Sequence, residues 1–257
     1  MDITFILLTA SAVILIGIAK AGFGGGVGII AVPMFILAFG DSKEALAVML
    51  PILNACDIFS VVHYRKEFDM ANIKRLMPGI IIGIFIGSFF LGKVSDQQLK
   101  FWIGIVAILF VVYQVGKPWI LTELKDFRPT PWQDWFFGST IGFTSTLAHA
   151  AGPPATMYLL PQNMGRRLYV GTNAVLFTIV NGLKLIPYIL LGMITFDRIG
   201  TSLALMIFVP IGTLTGAWMN KRINETAFNT VVYVILLWMG LDFTIGFDPV
   251  GQLLGVR

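Results

Sequence analysis

Long apolar runs broken by short polar stretches dominate the chain. Residues 135–165 hold no Asp, Glu, Lys or Arg over 31 positions, 199–220 over 22, 21–40 over 20 and 76–92 over 17. About 20 mostly apolar residues cross a bilayer as one helix. The runs are continuous, whereas outer-membrane barrel strands alternate in polarity. The pattern predicts ten helical segments: 3–20, 24–40, 44–64, 72–92, 98–116, 132–149, 153–163, 168–191, 198–219 and 226–246. Segment 153–163 is too short to span. Its counterpart 24–40 opens on Gly24-Gly25-Gly26 and contains Gly28 and Pro33. Both read as broken or re-entrant pieces.

The polar stretch 117–131 separates two groups of five segments. Sliding one half along the other by 127 to 129 residues aligns Pro33 with Pro161, Phe68-Asp69 with Phe196-Asp197 and Asn54 with Asn181. Gly83-x-x-x-Gly87 falls on Gly212-x-x-x-Gly216. The sequence therefore predicts two repeats, 1–116 and 132–257, joined by 117–131. If the first two segments of a repeat both span, or together form one re-entrant hairpin, each repeat crosses an odd number of times. The second repeat is then inverted. The fold expected is an all-α polytopic membrane protein of two inverted-topology repeats, each a broken or re-entrant first helix pair followed by three transmembrane helices.

Composition agrees: 12% of the 257 residues are charged and 56% are hydrophobic, against about 25% charged in soluble domains. The start Met1-Asp2 has no basic n-region, and the first Lys is Lys20, so segment 3–20 is expected to stay in the mature protein. The single Cys56 excludes an internal disulfide, and two distant histidines make no metal site. The net charge of +4 raises nucleic acid as a partner, but the basic residues lie mostly in short connections. Eleven fall in connections assigned to the cytoplasm (65–75, 117–128, 166–167 and 221–222) and five on the other side (Lys43, Lys93, Lys100, Arg198, Arg257). That bias fits a positive-inside topology with both termini outside. The six tryptophans fall mostly near span ends, as an interfacial belt requires.

Inverted repeats place a substrate site where broken helices meet. One break reads Lys20-Ala21-Gly22-Phe23-Gly24-Gly25-Gly26, the other His149-Ala150-Ala151-Gly152-Pro153-Pro154. Helix starts carry unpaired N–H groups and a partial positive charge, so two of them facing one cavity suit a small anion. Gly24, Gly25, Gly26, Gly152 and Pro153 are candidates on this ground. Gly83, Gly87, Gly212 and Gly216 are instead expected to let helices pack closely. Lys20 and His149 lie beside the breaks at nearly equivalent repeat positions. Each has a plain alternative, snorkelling for Lys20 and a hydrogen-bonded neutral ring for His149.

Asn54-x-x-Asp57 aligns with Asn181-x-x-Lys184, each pair on one helical face. Lys184 lies well inside its segment and needs a partner or water. Asp57 is the evident partner for a structural pair; the functional reading makes Lys184 an anion contact and Asp57 a proton- or sodium-coupling group. Asn54 and Asn181 would donate hydrogen bonds, and Asn173 would line the entrance. No catalytic group, cofactor or metal ligand set stands out.

Ala21-Gly22-Phe23-Gly24-Gly25-Gly26, Gly142-Phe143-Thr144-Ser145-Thr146, and Ala148 to Pro154 with Tyr158-Leu159-Leu160-Pro161-Gln162 resemble the sulfite exporter TauE/SafE family over essentially the whole chain. The resemblance implies a bacterial cytoplasmic-membrane transporter of sulfite, organosulfonates or related small anions, and no enzyme. The second break, Ala-Ala-Gly-Pro-Pro, departs from members with Gly-x-Gly-Gly-Gly in both halves. The expected function is secondary transport of a small anion by alternating access around a midplane site. An uncoupled anion channel is the alternative, with a membrane enzyme or an assembly factor behind it.

Overall fold

The computed structural model describes residues 3–22, 27–64, 67–123, 128–219 and 225–247. Among these residues there are helices and no strands. The first half comprises α1 (Ile3–Gly22), a 3₁₀ turn (Val27–Ile30) running into α2 (Ala31–Phe39), α3 (Ser42–Tyr64), α4 (Met70–Lys93) and α5 (Asp96–Glu123). The second comprises α6 (Pro131–Ala148), α7 (Gly152–Leu159) with a 3₁₀ turn (Leu160–Gln162), α8 (Arg166–Leu190), α9 (Phe196–Leu205), α10 (Phe208–Met219) and α11 (Glu225–Ile245).

Local chemistry sets several boundaries. Asp69 caps α4, its Oδ1 accepting from the N–H groups of Ala71 and Asn72. Pro131 opens α6, and Gln133 reaches back to the Thr130 N–H at 2.8 Å. Gly40 ends α2 at φ 74°, a left-handed stop that glycine adopts without penalty. With nine and eight residues, α2 and α7 rise only about 12–14 Å, far short of a hydrocarbon core of about 30 Å.

Among the described residues four helices are long and apolar enough to cross a membrane, or five if the α9–α10 pair is one span. That pair departs from the single segment expected over 198–219. It bends by 41° between Leu205 and Phe208. Pro210 explains the break: it has no N–H for the Met206 carbonyl four residues back, and its ring crowds that carbonyl. α5 also runs to Glu123, into the stretch read as the connecting loop, because Trp119-Ile120-Leu121 continues the apolar helix.

The main helix pairs cross between the halves: α4 packs on α6, α1 on α10, α5 on α11 and α3 on α8. Glycines make three of these contacts close: α1–α10, α4–α6 and, where Gly104 meets Gly240, α5–α11. A Cβ on Gly17 would stand 2.8 Å from the Gly212 backbone, and one on Gly212 would stand 2.5 Å from the Ile14 carbonyl oxygen. Gly83 on α4 meets Ser139 and Phe143 of α6 in the same way, and Gly216 meets Ile18. Gly87 is looser, with Thr146 of α6 3.0 Å from its would-be Cβ. The packing role expected for these glycines is what the backbone requires. Large apolar side chains such as Phe85, Phe89, Leu109 and Leu190 stand exposed around the bundle.

Polar contacts gather at the two ends. Where α3 begins, Asp96 accepts from the Ser42 N–H at 2.7 Å, Lys100 donates to the Gly40 carbonyl, and Arg198 faces Glu44. Where α3 ends, Arg167 pairs with Glu67, and the Asp69 N–H donates to Thr172. Nearby, the Tyr158 hydroxyl donates to buried Asp134 at 2.6 Å. Residues 96 and 198 thus share one end, as the expected loop grouping requires.

Candidate functional site

Between those ends lies a cavity of about 120 Å³ walled by α1, the 3₁₀ turn before α2, α3, α8 and the α6–α7 break. Drug-sized ligands occupy about 300–1,000 Å³, so this one suits a small ion. Lys20, Asp57, His149 and Tyr169 are the titratable side chains on its wall. Gly28, Gly152, Pro153, Asn173 and Asn181 also line it.

The second break is built by a left-handed residue. His149 ends α6 at φ 48°, ψ 30°, its N–H donating to the Ser145 carbonyl at 3.0 Å. The Ala150 N–H turns back to the Thr144 carbonyl, and Thr144 Oγ1 donates to the Ala150 carbonyl at 2.9 Å. This closure ends one helix and lets Gly152 start the next, aimed at the cavity. Pro153 and Pro154 have no N–H, however. Two of the donors a helix start normally offers an anion are therefore missing, and Gly152 is left to supply one.

Lys20, in the last turn of α1, forms an ion pair with Asp57 Oδ1. Asp57 is 1% exposed, and its Oδ2 accepts from the Asn181 amide at 2.6 Å. The Asp57–Lys184 ion pair, the structural alternative for these two residues, does not form. Lys184 is fully buried and donates instead to the Ser145 carbonyl at 3.0 Å and to His149 Nδ1 at 2.8 Å. His149 Nε2 lies 3.0 Å from the Leu46 carbonyl. That carbonyl can only accept, so Nε2 carries the ring proton and Nδ1 is the acceptor. This is the neutral, hydrogen-bonded ring raised as the plain alternative for His149, yet the same ring lines the cavity. Lys184 reaches the site only through it.

The repeat offset maps Lys20 onto His149 and Asp57 onto Lys184. Along that offset the two pairs, Lys20–Asp57 and His149–Lys184, correspond and differ in chemistry. With both lysines as ammonium, Asp57 as carboxylate and His149 neutral, the four groups carry one net positive charge.

Of the expected site residues, Lys20, Asp57, His149, Gly152, Pro153, Asn173 and Asn181 meet at the cavity. Asn54 does not: its amide donates back to the Leu50 carbonyl at 2.9 Å on its own helix. Gly24, Gly25 and Gly26 lie outside the described residues. Tyr169 was not singled out in the sequence, although it, Asn173, Phe177 and Asn181 recur every four residues along one stripe of α8. Its hydroxyl lies 3.0 Å from Thr156 Oγ1 on α7. Among the described residues no group of three or more His, Cys, Asp or Glu could hold a metal ion.

No curated protein and no solved structure matches the chain at a significant level. The model of one protein family does match, over residues 9–243. The chain belongs to the sulfite exporter TauE/SafE family.

Proposed function

We propose that the protein is a secondary transporter that carries a small anion, sulfite or an organosulfonate, across the cytoplasmic membrane of a bacterium by alternating access around the central cavity. One observation carries the reading: a small cavity is bounded by the 3₁₀ turn before α2 and by the α6–α7 break, with two lysines, Lys20 on its wall and Lys184 behind His149, against one carboxylate, Asp57. Lys20, Asn181 and the Gly152 N–H would hold the anion's oxygens, and Lys184 would act on it through His149. Asn173 would line the way in. Asp57 would link transport to a proton or sodium gradient.

The inverted repeat belongs to this proposal. Exchanging the halves turns the α4–α6 pair into α10–α1 and leaves α3–α8 and α5–α11 unchanged, which is the set of pairs that pack. The cavity wall runs along α3 from Met49 to Asp57 and along α8 from Asn181 back to Tyr169. On α3 it is centred on the helix, and on α8 it reaches back to Tyr169 beside the basic 166–167 connection, at the end a positive-inside topology assigns to the cytoplasm.

The test is flux in proteoliposomes with labelled sulfite, thiosulfate, sulfate, taurine, isethionate and sulfoacetate in turn. Saturable uptake with counterflow is expected for at least one. Unitary currents without counterflow would make the protein a channel, and no flux of any would end the anion reading.

A further inference from the structure

Asp57 is a carboxylate set inside a site built for an anion. Both of its oxygens are held, one by the Lys20 ammonium from α1 and the other by the Asn181 amide from α8. An ammonium and a side-chain amide are also the donors that an oxyanion in this cavity would seek. The other titratable or charged groups around Asp57 are Lys184 and Tyr169 on α8, His149 at the α6–α7 junction and Cys56 beside it on α3. Lys184 is turned away, committed to Ser145 and His149. Among the described residues no second carboxylate lines the cavity. A sodium ion at Asp57 would need several oxygen ligands, but the Asp57 oxygens are taken by donors.

We propose that Asp57 is the empty site's own stand-in for substrate: the incoming anion displaces its carboxylate from Lys20 and Asn181, and the released carboxylate takes up a proton, so that anion and proton bind together. This rests on the anion-transport reading. The proton comes from water entering the cavity and ends on a carboxylate oxygen of Asp57. The physical ground is competition followed by burial. Lys20 and Asn181 turn to the anion, Lys184 is not free to replace them, and a buried carboxylate without partners is costly in its charged form. A dianion sharpens the case. It would turn the site's single positive charge into a single negative one, and one proton restores neutrality. The coupling ion is then a proton, and anion affinity falls as pH rises.

The experiment uses the full-length protein in detergent with methanesulfonate and sulfate, whose charges are constant between about pH 6 and 8.5. Sulfite is added as a third binding check. Calorimetry gives affinity, and a pH-indicator dye in weak buffer gives protons taken up. About one proton per anion is expected, with affinity falling about tenfold per pH unit. D57N should bind with no uptake and an affinity flat in pH, and above neutral pH it should bind tighter than the wild type. Wild-type binding without proton uptake would overturn this proposal and leave the transport reading standing, as would uptake that persists in D57N. Binding of none of the three anions at any pH would sink the transport reading and this proposal with it. Should D57N not fold, H149Q takes its place: retained uptake supports Asp57 as the acceptor, and lost uptake overturns it.

Discussion

Replacing Lys184 with methionine separates the charge of the buried ammonium from its volume. The side chain is fully buried and held by two neutral acceptors, the Ser145 carbonyl at 3.0 Å and His149 Nδ1 at 2.8 Å. Losing hydrogen bonds from a charged donor costs about 1.5–3 kcal/mol each. Removing a buried charge recovers desolvation of similar size. Ser145 also keeps the His149 N–H as a partner. The fold should therefore change by no more than about 2 kcal/mol in either direction. Anion binding should change much more. An anion against the cavity face of the His149 ring stands about 7 Å from Nζ, counting the hydrogen bond, the ring and one contact. At an effective dielectric of about 20, that interaction is about 2.4 kcal/mol, or roughly 50-fold in affinity. Calorimetry on purified K184M, beside K93M at the far end of α4 as a control, measures it. If K184M keeps its fold and binds within about threefold of the wild type, the positive charge behind His149 is not part of the site's field.

Gly212→Ala should lower the melting temperature in detergent, because its Cβ would meet the Ile14 carbonyl at 2.5 Å and overpacking costs about 1–3 kcal/mol. Gly182→Ala, which would meet no atom within 4 Å, should be neutral or stabilising. Equal melting of the two would refute the close-packing role. Pro153→Ala restores an N–H at the start of α7 beside the cavity and should tighten anion binding about two- to tenfold; weaker binding in titrations would show that the helix start does not face the ligand. Tyr158→Phe leaves Asp134, 6% exposed, without the hydroxyl that donates to it at 2.6 Å. Melting should fall by the equivalent of about 1–3 kcal/mol with anion affinity unchanged. An unchanged melting curve would mean that this contact adds nothing to stability.

What could be read in the sequence was what its short-range patterns encode. Small residues four apart on one face announce close packing, and the Gly83, Gly212 and Gly216 contacts follow. The α2 and α7 pieces were legible because Gly and Pro punctuate them. Lys20, Asp57, His149 and Lys184 stood out because charge is so scarce in the spans. Their partners were not legible. The repeat offset places Asp57 and Lys184 at equivalent positions, which made them an obvious couple. In each half the end of the first helix instead lies against the long helix after the short one, so Lys20 meets Asp57 and His149 meets Lys184. Asn54 looked like the twin of Asn181, but a carbonyl four residues back on α3 satisfies it. The kink at Met206 was written in Pro210 and hidden by the apolar run around it.

The unequal pairs bear on the transport cycle. In an inverted repeat that alternates by exchanging the conformations of its halves, identical halves would give inward- and outward-open states of equal energy. Here one half holds Asp57 and the other, at the position the sequence offset assigns to it, Lys184. An anion can displace the carboxylate from Lys20, but it has no carboxylate to displace at Lys184. Exchanging the halves therefore does not reproduce the same contacts, and the two empty states differ in energy by the difference between a displaceable ion pair and a fixed cation–imidazole contact. The gradient still sets the direction of net flux. Under the proposed alternating access, the asymmetry would set which side the empty carrier faces, and with it the side on which substrate and proton first meet the site. A variant that made the pairs alike, such as Lys20→His combined with Asp57→Lys, should even out that resting preference, which accessibility labelling of single cysteines at the two ends of the bundle would read directly.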